Sequence, residues 1–235
     1  MSRVWITRAQ PGADATAARV RDLGLEPLVE PLLEVRTLPE EPVDLDLDGV
    51  GAIAFTSANA VRAFAPRSAV RATPVFVVGA ATAAAARAAG FDDVRSADGD
   101  VRALGELVAA QWSASDGAIL HPSAAEPAGD LVGALTAVGL KARRLAMYEA
   151  VARSPAPALF EALPGIRFVL AHSPRGARAL AEVLERSPAP QLTALCLSSA
   201  VAAPLAAAGL THVESAQAPR EEALMQLLAA RARRA

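Results

Sequence analysis

The sequence predicts an α/β protein made of two lobes, each with a parallel β-sheet covered by helices. Short apolar segments alternate along the chain with helical segments of about ten residues, a pattern typical of parallel sheets with helices on both faces. The chain has 235 residues, so each half is long enough to bury its own core. The second half also repeats the order of features in the first, which favours two similar lobes.

Glycine and hydroxyl residues show the repeat most clearly. The corresponding positions are Gly24 and Gly139, Ser57 and Ser173, Gly79 and Ser198, and Gly90 and Gly209, which lie 115, 116, 119 and 119 residues apart by subtraction of their numbers. Segment 54–57 (Ala-Phe-Thr-Ser) likewise corresponds to segment 170–173 (Leu-Ala-His-Ser). We interpret the repeat as an internal duplication with small loop insertions.

In the first half, apolar strands lead into helices that begin at capping residues. The predicted strands are 4–7, 25–35, 52–56 and 75–78, with a loop at 39–42. The predicted helices are 15–23, capped by Asp14 and closed by Gly24; one from Ser57 through Phe64; one from Gly79 to Gly90; and one from Asp100 to about Trp112.

The second half repeats this order. The predicted strands are 119–120, which opens into a loop, then the strand that carries Tyr148, then 168–171 and 195–197. The predicted helices are 130–138, capped by Asp130 and ended by Gly139; one from Ser173-Pro174; one from Ser198-Ser199 to Gly209; and a terminal helix from 219–222. Pro174 suits the first position of its helix, where no N–H is needed.

Two extended segments occupy equivalent places in the two halves and are candidates for crossings between the lobes. They are 28–35 and 145–151, and each follows a helix that ends at a glycine. Tyr148, the only tyrosine of the chain, lies in the second segment. We therefore expect Tyr148 to face a cleft between the lobes.

Composition and charge exclude several classes of protein. The net charge of −2 and the isoelectric point near 6.0 argue against a nucleic-acid-binding surface. Cys196 is the only cysteine, which excludes an internal disulfide or a cysteine metal cluster and predicts a buried thiol. The sequence has neither a signal peptide nor a long apolar run, so we expect a cytoplasmic protein that does not bind membranes.

The turns that join strands to helices share small and hydroxyl residues. They are 56–57, 79–82, 173–174 and 198–199. Free N–H groups and the positive end of the helix dipole make each turn a weak anion site. Any one hydroxyl taken alone is better explained as a simple helix cap, but the recurrence of these turns at the carboxyl ends of the predicted strands favours a ligand edge.

Familiar catalytic and cofactor motifs are absent from the sequence. His121, His172 and His212 lack the spacing of metal ligands, and there is no nucleotide-binding glycine motif. His172 follows a strand and is interpreted as an ordinary hydrogen-bonded histidine. Arg8 ends the first strand and could either bind an anion or form a surface salt bridge.

Seven segments, taken in order, resemble uroporphyrinogen-III synthases: Ile6-Thr7-Arg8, residues 26–32, residues 55–61, Val78-Gly79 with Thr82, Tyr148 in its strand, residues 172–175, and Cys196-Leu197-Ser198. The resemblance implies a lyase of heme biosynthesis that closes linear hydroxymethylbilane to uroporphyrinogen III, with inversion of ring D and loss of water. It implies no metal or organic cofactor.

The same resemblance implies two flavodoxin-like parallel-sheet lobes joined by a two-stranded β ladder. One lobe would contain residues 1–34 and 152–235, and the other residues 35–151. The crossings near 28–35 and 145–151 would form the ladder.

Site residues are carried over by position. Tyr148 matches the tyrosine thought to help the hydroxyl leave as water, although it could instead only order the ladder. The implied substrate-binding residues are Arg8, Thr56, Ser57, Gly79, Thr82, Ser173 and Ser198. Segment 121–127 departs from the family, because Ala and Pro stand where relatives carry glycine and basic residues, so we leave it out of the site.

The resemblance implies a linear tetrapyrrole with eight carboxylates as the partner, and we expect hand-over from hydroxymethylbilane synthase to a monomer. At about 1 kcal/mol for each carboxylate, the capped turns would together give roughly micromolar affinity. The alternatives are a non-catalytic two-lobed binder of a small anion and an adaptor pair of domains. The retained Tyr148, Ser57, Thr82 and Ser173 favour the enzyme.

Overall fold

A computed structural model describes residues 2–39 and 47–234 of the chain. The strands are β1 (Arg3–Ile6), β2 (Glu26–Val29), β3 (Leu33–Thr37), β4 (Val50–Phe55), β5 (Val75–Val77), β6 (Val94–Ser96), β7 (Ala118–Ala124), β8 (Ala142–Ala152), β9 (Ile166–Ala171), β10 (Thr193–Cys196) and β11 (Val213–Ser215). The α-helices are α1 (Gly12–Asp22), α2 (Ala58–Phe64), α3 (Ala80–Ala88), α4 (Val101–Gln111), α5 (Leu131–Ala137), α6 (Pro157–Ala162), α7 (Pro174–Arg186), α8 (Ser199–Ala207) and α9 (Glu221–Ala232). Short 3-10 helices lie at Ala65–Arg67, Ala114–Asp116 and Leu163–Gly165.

The chain forms two compact units. The first contains Met1–Glu34 and Val151–Ala235, and the second contains Val35–Ala150. Within the described residues, 2–39 and 47–234, none of the helices has the length and apolar character needed to cross a membrane.

The first unit is built on a five-stranded sheet in the order β11-β10-β9-β1-β2, with every neighbouring pair parallel. Successive residues of β1 face opposite sides of this sheet, as the two-residue period of a strand requires. Trp5 packs in one core with Leu180, whereas Val4 and Ile6 pack in the other with Leu228. Both faces of the sheet are thereby covered by apolar side chains of helices.

The second unit is built on a six-stranded sheet in the order β3-β8-β7-β4-β5-β6. The pairs from β8 through β6 are parallel. Ile53 and Phe55 of β4 pack on one face with residues of α2 and α3, while Ala52 and Ala54 pack on the other with residues of α4 and α5. The predicted α/β class with two parallel sheets is confirmed.

Two neighbouring strands of the six-stranded sheet contain the points where the chain passes from one unit to the other. β3 includes the Glu34–Val35 limit, and β8 includes the Ala150–Val151 limit. β3 lies beside β8 at the end of the sheet, and Leu38 N donates to Met147 O over 3.0 Å.

The prediction of one continuous strand over 25–35 is wrong. β2 belongs to the five-stranded sheet and β3 to the six-stranded sheet. The two are separated at Glu30–Leu32, where Pro31 has no N–H with which to continue a ladder.

Two other local predictions are also corrected. α1 begins at Gly12, so Asp14 lies in its first turn instead of capping it. Strand β7 continues to Ala124, although the sequence predicted a loop after Leu120. β7 pairs with β4 only as far as Leu120, so Pro122, which lacks an N–H, lies beyond that pairing. The loop predicted at 39–42 lies, apart from Pro39, outside the described residues.

Candidate active site at the carboxyl edges of the sheets

The sequence-predicted site residues follow the carboxyl ends of parallel strands in both units. In the second unit, Thr56 and Ser57 follow β4, Gly79 follows β5, and Tyr148 lies level with Ala124, the last residue of β7. In the first unit, Arg8 follows β1, while Ser173 and Ser198 follow β9 and β10. Carboxyl ends of parallel strands meet at one edge, which is where α/β sheets bind ligands.

Tyr148 is held at this edge by its strand, its core contacts and one hydrogen bond. Its carbonyl oxygen accepts from Ala125 N over 2.7 Å. The residue is 7% exposed and packs in the same core as Phe55 and Met147, while its hydroxyl forms a hydrogen bond with the side chain of Ser57. Tyr148 and Ser57 are therefore brought together, although they are far apart in sequence.

The Tyr148 phenol is kept protonated. Burial raises the pKa of Tyr148 above its ordinary value, and the hydrogen bond with Ser57 opposes this only in part. At neutral pH the side chain therefore keeps its O–H, as an unperturbed tyrosine also does.

Ser57 serves two partners. It is the N-cap of α2, where its Oγ accepts from Asn59 N over 3.1 Å. The same side chain contacts the Tyr148 hydroxyl. The cap prediction is confirmed, and the hydroxyl also anchors the tyrosine. Thr56, the preceding residue, is half-buried at the end of β4.

Gly79 and Thr82 form the turn into α3. Gly79 occupies the N-cap position of α3 but has no side chain with which to form a capping hydrogen bond. A Cβ built at Gly79 would meet no heavy atom within 4 Å. Thr82 is buried in the first helical turn, and its N–H donates to Gly79 O over 3.0 Å. The approach to the Gly79 backbone is thus open, whereas Thr82 is enclosed.

Arg8 belongs to a polar cluster in the first unit. Its Nη1 lies 3.2 Å from Glu221 Oε2 and 3.3 Å from Thr16 Oγ1. Thr16 Oγ1 donates to Glu221 Oε1 over 2.7 Å, and His172 Nε2 lies 3.1 Å from Glu221 Oε2. Glu221 therefore joins the ends of β1 and β9 to the start of α9.

The charges in this cluster are set by burial and by pairing. Burial alone would raise the pKa of the Glu221 carboxyl, but hydrogen bonds from His172 and Thr16 and the charge of Arg8 lower it to about 2. Burial lowers the pKa of His172, and its contacts with Glu221 only partly oppose that shift. Glu221 is therefore an anion and His172 is neutral at pH 7.

Ser173 and Ser198 both stand at helix starts but make different contacts. Ser173 is the N-cap of α7 and its Oγ accepts from Gly176 N over 3.1 Å, which confirms the predicted cap. Ser198 is the N-cap of α8 and makes no side-chain cap hydrogen bond.

Sequence reasoning missed Glu221 and Thr16 as members of the site. The sequence places Glu221 only at the start of the predicted terminal helix, and its contact with Arg8 joins residues 213 positions apart. Thr16 lies inside α1 and is 1% exposed. In the sequence, the signal that could have indicated a buried partner is the position of Thr16 on the same helical face as Ala13, Ala17 and Val20.

Two solved structures are similar to this chain over nearly its whole length. The structure of uroporphyrinogen-III synthetase from Helicobacter pylori 26695 is similar, with a TM-score of 0.67, 18% identity, and coverage of 98% of this chain and 99% of that one. A mutant uroporphyrinogen III synthase from the extremely thermophilic bacterium Thermus thermophilus gives a TM-score of 0.58 and 19% identity, with all of both chains covered. At this identity the two structures establish a shared fold.

Among curated proteins, none matches this chain significantly. The family model described as uroporphyrinogen-III synthase HemD matches residues 14–226. Because that match extends over most of the sequence, the chain belongs to the uroporphyrinogen-III synthase family.

Proposed function

We propose that this protein closes linear hydroxymethylbilane to uroporphyrinogen III, inverting ring D and releasing water, with Tyr148 as the proton donor. The observation that carries the proposal is the neutral Tyr148 phenol, which is anchored by Ser57 at the carboxyl edge of the sheet in a chain of this family.

The chemistry requires little covalent help from the protein. The hydroxymethyl group takes a proton and leaves as water, which gives a cation stabilised by its pyrrole. Ring D then attacks through its substituted carbon, and the spiro intermediate fragments and recloses with loss of a proton. Tyr148 supplies the proton to the leaving hydroxyl, a role worth about 10² to 10⁴ in rate.

Which isomer forms depends on how the protein positions the substrate. The substrate has eight carboxylates, and the turns at Ser57, Gly79, Ser173 and Ser198 offer helix starts at the carboxyl edges of both sheets. At about 1 kcal/mol for each carboxylate, such contacts together give roughly micromolar binding. Holding the chain in the geometry that favours inverted closure is then catalysis by orientation.

Thr56 completes the proposed binding edge of the second unit, where the enclosed Thr82 supports the turn through its N–H bond to Gly79 O. Arg8 contributes to the binding edge of the first unit. The Arg8 side chain is 35% exposed while it is paired with Glu221. In this proposal the lobes are residues 1–34 with 152–235 and residues 35–151. The protein acts as a monomer and receives hydroxymethylbilane from its synthase.

The test is a coupled assay of product identity. Hydroxymethylbilane is generated in place by its synthase, this protein is added, and the oxidised uroporphyrin isomers are separated by chromatography. The proposal expects the type III isomer. Only type I, formed at the spontaneous rate in the presence of folded protein, would contradict it and would leave a non-catalytic binder of the same anion.

A further inference from the structure

A pocket in the second unit lies on the face of the sheet that carries α4 and α5. Its volume is about 410 Å³, and it is lined by His121, Arg144, and residues 127–132 around the start of α5. This volume is at the lower end of the range of about 300 to 1,000 Å³ that ligand pockets occupy. It suits one substituted ring better than a complete linear tetrapyrrole.

His121 brings an unused hydrogen-bond acceptor to this pocket. The residue is 1% exposed, and its Nδ1 lies 2.8 Å from the carbonyl oxygen of Ala54. A carbonyl can only accept, so Nδ1 must carry the proton. Burial, assisted by the charge of Arg144, lowers the pKa of His121 and keeps the ring neutral. The Nε2 atom is therefore a bare acceptor.

That acceptor has no partner among residues 2–39 and 47–234, and it is buried. An unpaired buried polar atom is destabilising, so a ligand that donates a hydrogen bond to it is favoured. His121 lines the pocket, so a ligand bound there lies beside the histidine ring.

Arg144 supplies the charge. It is paired in register with His121 on neighbouring strands, and its Nη1 donates to Ala125 O over 2.8 Å. The backbone contact fixes the guanidinium beside the pocket and leaves its other N–H groups for an anion. Asp130 also lines the pocket, where its Oδ1 accepts from Gly133 N over 2.8 Å. Its negative charge disfavours a second anion.

We propose that this pocket binds one pyrrole ring of the substrate, with the ring N–H donating to His121 Nε2 and one carboxylate arm bound by Arg144. The proposal rests on the proposed function and adds a subsite to it. It also restores segment 121–127 to the site, since the charge missing from that segment is supplied by β8.

The pocket lies at a distance from Tyr148, the proposed proton donor. Arg144 precedes Tyr148 by four residues along β8, which corresponds to roughly 13 Å in a strand. A ring held by Arg144 is therefore remote from the proton donor, so this subsite anchors the chain and takes no part in the chemical step.

The test uses two pocket variants and one control in the coupled assay. Arg144→Gln removes the charge. His121→Asn keeps a donor for Ala54 while removing the acceptor at Nε2. Arg102→Gln is the control, because Arg102 is exposed and forms an ion pair with Glu106 on the surface of α4. We expect KM to rise about tenfold in each pocket variant, with kcat and the type III product retained and the control unchanged.

The outcomes separate this proposal from the proposed function. If the unaltered protein makes type III product and both pocket variants keep its KM, the subsite is wrong and the function stands. If the unaltered protein makes only type I, binding of a monopyrrole with acetate and propionate arms decides the question by calorimetry. Binding that Arg144→Gln abolishes supports the pocket, whereas no binding, or equal binding to both proteins, overturns it.

Discussion

Glu221 holds Arg8 and His172 with one carboxylate oxygen. Its Oε2 lies 3.2 Å from Arg8 Nη1 and 3.1 Å from His172 Nε2. Three elements of the first unit, β1, β9 and α9, are thereby joined by a single side chain that is 23% exposed. The contact also fixes the histidine tautomer, because an ionised carboxylate can only accept and Nε2 must donate.

Removal of this carboxylate is expected to destabilise the fold. Glu221→Gln leaves Arg8 without its anion and weakens a charge-assisted hydrogen bond to His172, a loss of about 1 to 3 kcal/mol in unfolding free energy. Urea denaturation measures this change. Glu222→Gln is the matched control, since Glu222 is exposed in the same helical turn and loses an equal interaction with the helix dipole. Equal stabilities of the two variants would contradict the role of Glu221.

Stability is expected to fall when the pH is lowered from 7.5 to 5.5. Burial lowers the pKa of both His121 and His172, so below about pH 6.5 the unfolded chain takes up protons that the folded protein does not. Above that pH the two histidines do not lower the free energy of unfolding. Below it, each histidine lowers the free energy of unfolding by up to about 1.4 kcal/mol per pH unit. Protonation of Glu221 in the unfolded chain extends the decrease below pH 4.5.

Urea unfolding at several pH values measures how steeply the free energy of unfolding depends on pH. The double variant His121→Asn, His172→Gln removes both titrating groups and is expected to flatten this dependence between pH 6.5 and 5.5. A slope unchanged in the double variant would show that other groups control the acid response.

Gly12→Ala tests Arg8 without changing any charge. A Cβ at Gly12 would lie 2.6 Å from Arg8 Nε, so the guanidinium must move away from its place beside Glu221. Because the displaced group is the end of a long side chain, we expect a small change in stability and a severalfold rise in KM for hydroxymethylbilane. Gly165→Ala is the control, as a Cβ there meets nothing within 4 Å. An unchanged KM in Gly12→Ala would remove Arg8 from the substrate site.

Ser57 and Ser173 form a natural comparison. Both cap a helix through Oγ, so substitution of either by Ala is expected to cost about 1 kcal/mol of stability. Only Ser57 also holds the Tyr148 hydroxyl, so only Ser57→Ala is expected to lower kcat, by about tenfold. Thermal unfolding and initial rates give the two readouts. Equal kcat values in the two variants would mean that the Ser57 contact has no part in the reaction.

Features that depend on neighbouring residues could be predicted from the sequence. The caps at Ser57, Asp100, Asp130 and Ser173 were predicted because a short polar side chain before an apolar helix is a local signal. The parallel sheets followed from the alternation of strands and helices.

Features that depend on distant partners could not be predicted. Pro31 marks the break in segment 25–35, but nothing local shows that β2 joins one sheet and β3 the other, because that depends on the strands with which each one pairs. The contacts of Glu221 with Arg8 and of Ser57 with Tyr148 likewise form only when remote strands align. The extension of β7 was missed because Pro122 is a poor strand residue unless pairing on one side has already ended.

The most direct measurement is the rate of type III formation by Tyr148→Phe with saturating hydroxymethylbilane. The substitution keeps the buried ring and removes only the hydroxyl, so the core and the binding edges remain. We predict a fall in kcat of about 10² to 10⁴ with little change in KM. A folded Tyr148→Phe protein that forms type III product at the unaltered rate would contradict the assignment of Tyr148 as proton donor.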